Sequence, residues 1–168
     1  RLYEGKEIGG SEQAGVITYM RTDSTNVSQS ALNETLDFVR SSYGSHYAPE
    51  KPRRYSRRVQ GAQEAHEAVR PTSISRTPDS LKNHLEPDEY RLYQLIWRRM
   101  VASQMADSIY DRTVIDIKVT ACSSGSGYGF RASGSVLKFD GFRILYTERV
   151  DDQMEDNQEE QGLPQLQL

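Results

Sequence analysis

Apolar residues recur at two different periods along this chain of 168 residues, and the change of period divides it. From Ser28 onward Ala31, Leu32, Leu36 and Val39 return every three or four positions, which predicts a helix N-capped by Ser28 and stopped at Gly44. Thr77, Pro78 and Asp79 form a second start signal: a capping hydroxyl, a proline at the first helical position and an acid in the first turn. "PDEYRLYQLIWRRMVASQM" then predicts a long helix of about five turns with Leu92, Leu95, Ile96 and Met100 on one face. "AQEAHEAV", residues 62–69, predicts a short helix ended by Pro71, because the residue before a proline avoids helical geometry. "AGVITYM" instead sets Val16, Ile17 and Tyr19 behind Gly15 and predicts a strand. Near Tyr110 period two takes over. Ile115, Ile117 and Val119 alternate with Asp116 and Lys118, strand residues continue through "YGFRASGSVLKFDGFRILY", and Asp140-Gly141 predicts a turn.

These elements make an α+β chain. A mainly helical domain over 1–107 carries Tyr19 on a short strand, and part of a β-rich domain follows over 108–147. Residues 148–162 are expected to be an acidic disordered loop, and 163–168 a truncated continuation. Pro49, Pro52 and Gly61 mark 45–62 as an exposed loop.

Composition narrows the class. An apolar content of 36% suffices for a core, and the single cysteine, Cys122, permits no internal disulfide. No apolar run approaches the roughly 20 residues a spanning helix needs, and no N-terminal signal pattern is present. The opening "RLYEGKEIGG" lacks Met and reads as the middle of a longer sequence. The net charge of −3 conceals an uneven distribution: residues 148–160 hold seven acids and one base, so the remainder has 20 basic and 17 acidic residues. That body includes "KPRRYSRR" at 51–58, a basic run broken by a tyrosine, which suits a nucleic-acid backbone and equally a solvated loop.

Two stretches carry candidate chemistry. If 16–20 is extended, Ile17, Tyr19 and Arg21 share one face, so a phenol and a guanidinium can meet at one site. A phenol is a poor nucleophile at neutral pH unless cations or a base favour its ionised form, and Arg21 can supply that charge and grip a phosphate. The competing reading is an ordinary half-buried strand aromatic with a solvated arginine beside it. In "QEAHEAVRPT" a helix would bring His66 and Arg70 to one ligand, a titratable ring beside a fixed cation. A zinc site of the HExxH kind fails, since Arg70 stands where the second histidine belongs; a Glu67–Arg70 ion pair with His66 partly buried remains open. In "RTDST" Thr22, Asp23, Ser24 and Thr25 suit a turn and helix cap, with Asp23 a possible partner for His66. The small and polar "ASQM" at 102–105 suits close helix packing.

In their order and separation, "ITYMRTDST", "QEAHEAVRPT" and "LYQLIWRRMVASQM" closely resemble the bacterial type IA DNA topoisomerases, with a weaker match through "YDRTVIDIKV" and "VLKFDGFRILY". The resemblance implies that Tyr19 attacks a phosphodiester of single-stranded DNA, leaving a 5′-phosphotyrosine link through which another strand passes before resealing. Negative supercoils would relax without ATP. It further implies catalytic roles for Tyr19, Arg21 and His66, and DNA contacts from Arg21, Asp23, Arg70 and Thr72. The β-rich part would belong to the family's hinge domain. Magnesium is implied for the full-length enzyme, bound by acidic residues outside this fragment, with no metal ligand within it. Partners would be single-stranded or negatively supercoiled DNA and the missing domains of the same polypeptide, with no membrane. The expected location is the cytoplasm or nucleoid, or an organelle of bacterial ancestry. Alone, such a fragment should be inactive. A tyrosine recombinase fits less well, because its tyrosine follows an HxxR element, whereas here Tyr19 precedes His66 and the spacing is HxxxR. A single-strand DNA-binding module that keeps the fold without the reaction is the other alternative.

Overall fold

The computed structural model describes residues 1–8, 13–55, 66–119 and 128–146. Cys122, the acidic stretch 148–162, the tail 163–168, the second half of the basic run and the start of the expected 62–69 helix lie outside the described residues. The chain divides into two compact units, one formed by Arg1–Ala106 with Phe142–Tyr146 and the other, among the described residues, by Asp107–Gly141.

The first unit opens with a short antiparallel pair, β1 (Lys6–Glu7) and β2 (Gln13–Ala14). The segment beyond β2 is bonded to two others: Val16 N–H donates to Leu2 O, while Thr72 N–H donates to Val16 O and Thr18 N–H to Arg70 O. An antiparallel bridge pairs Ile17 with Pro71. Gly15 is dictated by this crowding, since a Cβ there would lie 2.5 Å from the carbonyl oxygen of Tyr3. Backbone bonding to the 70–72 segment ends at Thr18, and in place of the expected strand there is a single bridge at Ile17.

Helix α1 spans Gln29–Ser42. Its N-cap is Ser28, whose side chain accepts from Ala31 N–H, and Ala31, Leu32, Leu36 and Val39 are buried as their spacing predicts. Gly44 follows with a φ of 102°, the left-handed conformation that only glycine adopts without strain. The short α2 (Pro78–Leu81) has Thr77 as its cap, and α3 (Pro87–Ser103) opens with a reciprocal capping box between Glu86 and Glu89.

The buried face of α3 is the expected one only in part: Met100 is buried and Ile96 packs against the core as expected, but the face is rotated toward the aromatics. Tyr93, Trp97, Met100 and Val101 point inward, whereas Leu92 and Leu95 are about half exposed, at 50% and 52%. Spacing of i, i+4, i+7 and i+8 is as regular as the aliphatic stripe, and it wins because the two aromatics bury more surface and find partners for their polar tips. Tyr93 OH donates to Arg76 O, Trp97 Nε1–H donates to Ile74 O at 2.9 Å, and the Trp97 ring packs edge-on against Phe38 of α1 at 5.5 Å. Burial pushes the Tyr93 phenol up to about 12, opposed weakly by Arg76. Around this seam lie Leu2, Val16, Ile17, Leu32, Val39, Ile74, Leu81 and Leu85. Trp97→Ala should therefore destabilise the full-length protein by about 3–5 kcal/mol, through the cavity and the orphaned Ile74 carbonyl. Denaturation midpoints check this; a loss below about 1 kcal/mol would mean that Trp97 does not tie α3 to α1.

In the second unit β3 (Ile109–Val119) pairs antiparallel with β4 (Tyr128–Phe139). Register sets Ile115 against Ala132, Ile117 against Phe130 and Val119 against Tyr128 on one face, and Asp116 against Arg131 on the other, where they form a bidentate ion pair. The alternation read from the sequence is thus present. Residues 142–146 are not strand: Gly141, with a φ of 51°, opens a 3-10 turn (Gly141–Ile144), and Phe142 N–H donates to Ala106 O, both residues of the first unit.

Candidate functional site

Backbone bonding to the 70–72 segment stops at Thr18, and Tyr19 just beyond it is exposed. Ile17 is in the core at 5% exposure whereas Tyr19 is at 49%, so the expected shared face of Ile17, Tyr19 and Arg21 holds only for the last two. Tyr19 has two ring neighbours, Tyr3 at 5.4 Å in an edge-to-face arrangement and His66 at 6.1 Å. Arg21 Nη1 donates to His66 Nε2 at 3.2 Å, and Arg21 Nε binds Asp23 Oδ2 at 2.9 Å. A guanidinium has no lone pair to offer, so His66 Nε2 must be the acceptor and the ring proton resides on Nδ1. The guanidinium is fixed from two sides, and Arg21 remains 48% exposed. Asp23 Oδ1 is buried without a partner among the described residues, so Asp23 reaches His66 only through Arg21.

The segment that delivers His66 is not the expected helix. Residues 66–70 are irregular, because their backbone is claimed by tertiary partners: Ala68 N–H donates to Asn26 O, Thr18 Oγ1 donates to Ala68 O, and Arg70 N–H donates to Thr18 Oγ1. Helical periodicity in "QEAHEAV" was a poor guide where long-range hydrogen bonds were on offer. His66 and Arg70 have different partners in this structure, Arg21 and Glu67 respectively. Arg70 makes a bidentate pair with Glu67 and donates to Pro71 O, with its side chain only 13% exposed. Thr72 Oγ1 donates to Gly15 O. The structure thus brings Tyr19, Arg21, His66 and Asp23 together, and directs Arg70 and Thr72 to holding the 66–72 segment against 15–18.

Glu67 is the hub of that support, accepting from Arg70 and from the backbone N–H of Ser28, the α1 cap. Partial burial pushes its carboxyl up, but the Arg70 and Ser28 bonds outweigh this and hold it below the usual range. A depressed folded value means stability that is present above the unfolded value, about 4.3, and lost as pH falls through the folded one. Glu67→Gln should cost roughly 1–2 kcal/mol at neutral pH, with the gap to the parent closing below about pH 4. Denaturation midpoints across that range decide it; a gap independent of pH would remove the ion pair as its source.

The first half of the basic run is anchored near the same site. Gln104, buried and noted in the sequence only as part of a small polar cluster, accepts from Arg53 N–H at 2.9 Å and donates to Arg53 O at 3.1 Å. Tyr55 OH donates to Ser103 O, and Thr25 Oγ1 donates to Tyr55 O, which joins this loop to "RTDST". Ser24 Oγ accepts from Asn26 N–H, a local turn rather than a helix cap.

A sequence profile described as DNA topoisomerase matches residues 1–168. This chain belongs to the bacterial type IA DNA topoisomerase family. DNA topoisomerase 1 of Rickettsia prowazekii is 46% identical over 166 residues, covering 99% of this chain and 20% of that protein. Its counterpart in Xylella fastidiosa is 44% identical over 165 residues, 98% of this chain and 20% of that protein. The full-length topoisomerase I structure from Thermotoga maritima superposes with a TM-score of 0.67 at 35% identity, covering 88% of this chain and 22% of that one. The chain therefore spans about a fifth of the length of the topoisomerases it matches, and its mixed helix and strand fold resembles the corresponding part of a topoisomerase I.

A magnesium ion, which the family resemblance implies, does not fit the residues beside Tyr19. Magnesium asks for hard oxygen ligands in octahedral array. The carboxylate placed here, Asp23, is committed through Oδ2 to Arg21, and among the described residues no group of three or more His, Cys, Asp or Glu could hold a metal. Among those residues, too, no helix is long and apolar enough to cross a membrane.

Proposed function

We propose that this chain is the nucleophile-bearing part of a type IA topoisomerase, in which Tyr19 Oη attacks a phosphorus of single-stranded DNA. The bond to the 3′-oxygen breaks, a 5′-phosphotyrosine ester forms, the phenolic proton is given up and the departing 3′-oxygen gains one. Attack by that 3′-hydroxyl reverses the step after strand passage. Because the ester conserves the energy of the phosphodiester, relaxation of negative supercoils needs no ATP. The observation that carries this reading is the cluster itself: an exposed phenol beside His66, whose neighbour Arg21 is held by a carboxylate on its far side.

Each residue has a part. Arg21 presents its remaining N–H groups to the non-bridging oxygens, where charge grows in the pentavalent transition state. His66 steadies Arg21 through Nε2 and offers Nδ1–H to the phosphate. Asp23 fixes Arg21, while Arg70 and Thr72 serve by holding the His66 segment in place. The magnesium belongs to other parts of the longer polypeptide, residues 108–147 to part of a β-rich hinge domain, and the whole enzyme to the cytoplasm or nucleoid.

Trapping with end-labelled oligonucleotides tests the reaction. In the full-length protein with magnesium, denaturation after mixing should leave label on the protein when the DNA is labelled at its 3′ end, and none when labelled at its 5′ end. The reverse would indicate a 3′-phosphotyrosine of the recombinase kind. Tight binding to both DNAs with no adduct would leave only a single-strand DNA-binding module.

A further inference from the structure

We infer that Tyr3 is a positioning residue for the reaction, a wall that holds the Tyr19 ring in line with the scissile phosphate. The inference rests on Tyr19 being the nucleophile. An exposed tyrosine on an irregular segment has freedom about χ1, and each staggered χ1 well carries Oη to a different place, so a neighbour that favours one well also fixes where Oη points. Tyr19 has two ring neighbours. His66 is occupied with Arg21; Tyr3 meets the ring edge to face at a centroid distance of 5.4 Å and an interplanar angle of 71°. Aromatic pairs of this geometry favour the packed orientation by up to about tenfold in population.

The backbone around Tyr3 is built to keep the wall still. Val16 N–H donates to Leu2 O, Gly5 N–H donates to Arg1 O, and Leu2 is buried in the core. The Tyr3 carbonyl approaches residue 15 so closely that only glycine fits there. The two tyrosines thus stand on adjacent segments, joined by the Val16–Leu2 hydrogen bond and by the close approach of the Tyr3 carbonyl to Gly15. Tyr3 itself is 44% exposed, so truncating it removes little buried surface and should leave the fold intact.

Kinetics of the full-length protein on 3′-labelled single-stranded DNA with magnesium test the assignment. Tyr3→Ala should slow single-turnover adduct formation about tenfold, and Tyr3→Leu by a similar factor, since an aliphatic chain gives no edge-to-face contact. DNA affinity, measured in a Tyr19→Phe background, should change by less than about twofold. Tyr3→Phe should restore the parent rate, because the ring rather than the hydroxyl makes the contact. Parent-like rates in both Tyr3→Ala and Tyr3→Leu would overturn the inference. So would a slow Tyr3→Phe, which would make the hydroxyl a direct DNA contact, or a loss of affinity equal to the loss of rate. If Tyr19→Phe itself still forms the adduct, the nucleophile assignment fails, an outcome distinct from any Tyr3 result.

Discussion

Tyr19→Phe in the full-length protein should abolish the covalent adduct, a fall of several orders of magnitude, while single-stranded DNA binds as before. The change removes one oxygen and leaves the ring. Its contacts with Tyr3 and His66 are contacts of ring faces and edges, and no hydrogen bond of the Tyr19 hydroxyl to the described residues supports the fold. A nucleophile lost without any packing change should therefore lower the rate of cleavage alone. Denaturing gels of labelled DNA read the adduct and titration reads the affinity; adduct formation by the phenylalanine variant would assign the chemistry to another group.

Arg21→Lys should cost on the order of 10²–10³-fold in the cleavage rate, about 2.7–4 kcal/mol, although charge is conserved. The reason is geometric. Arg21 spans His66 and Asp23 with two different N–H groups, and a planar fork can do this while offering a third edge to a phosphate. An ammonium on a flexible stem is one point of charge, so it cannot hold the histidine, satisfy the carboxylate and face the substrate together. Affinity for uncleaved DNA should fall much less than the rate, because the loss appears as charge develops on the phosphate. Equal losses in affinity and rate would reduce Arg21 to a backbone contact.

Much of the helical unit is legible in the sequence because its signals are local. Ser28 and Thr77 announce their helices, Gly44 ends one, and α1 buries the residues its spacing names. Errors arise where a tertiary partner decides. Leu92 and Leu95 look like core until Arg76 and Ile74 offer carbonyls to Tyr93 and Trp97, and residues 66–69 look helical until Thr18 and Asn26 claim their backbone. The site is legible in its parts, since Tyr19, Arg21, His66 and Asp23 stand in two short motifs. Their connection is different: Arg21 as the link between Asp23 and His66 depends on two segments far apart in the chain, and Tyr3 carries no chemical signature to mark it. The family resemblance places the motifs together, but it does not distinguish Arg70, folded back on Glu67, from a DNA ligand.

The backbone bonding of residues 16–18 has a mechanical consequence for the proposed reaction. A DNA end esterified to Tyr19 would pass any tug on that strand to the protein through the backbone at residue 19. Directly behind it lie the bonds from Thr18 to Arg70, from Thr72 to Val16 and from Val16 to Leu2, which tie one short run to two other segments. Load on the proposed nucleophile would be shared among them, an anchor suited to holding a broken strand under tension.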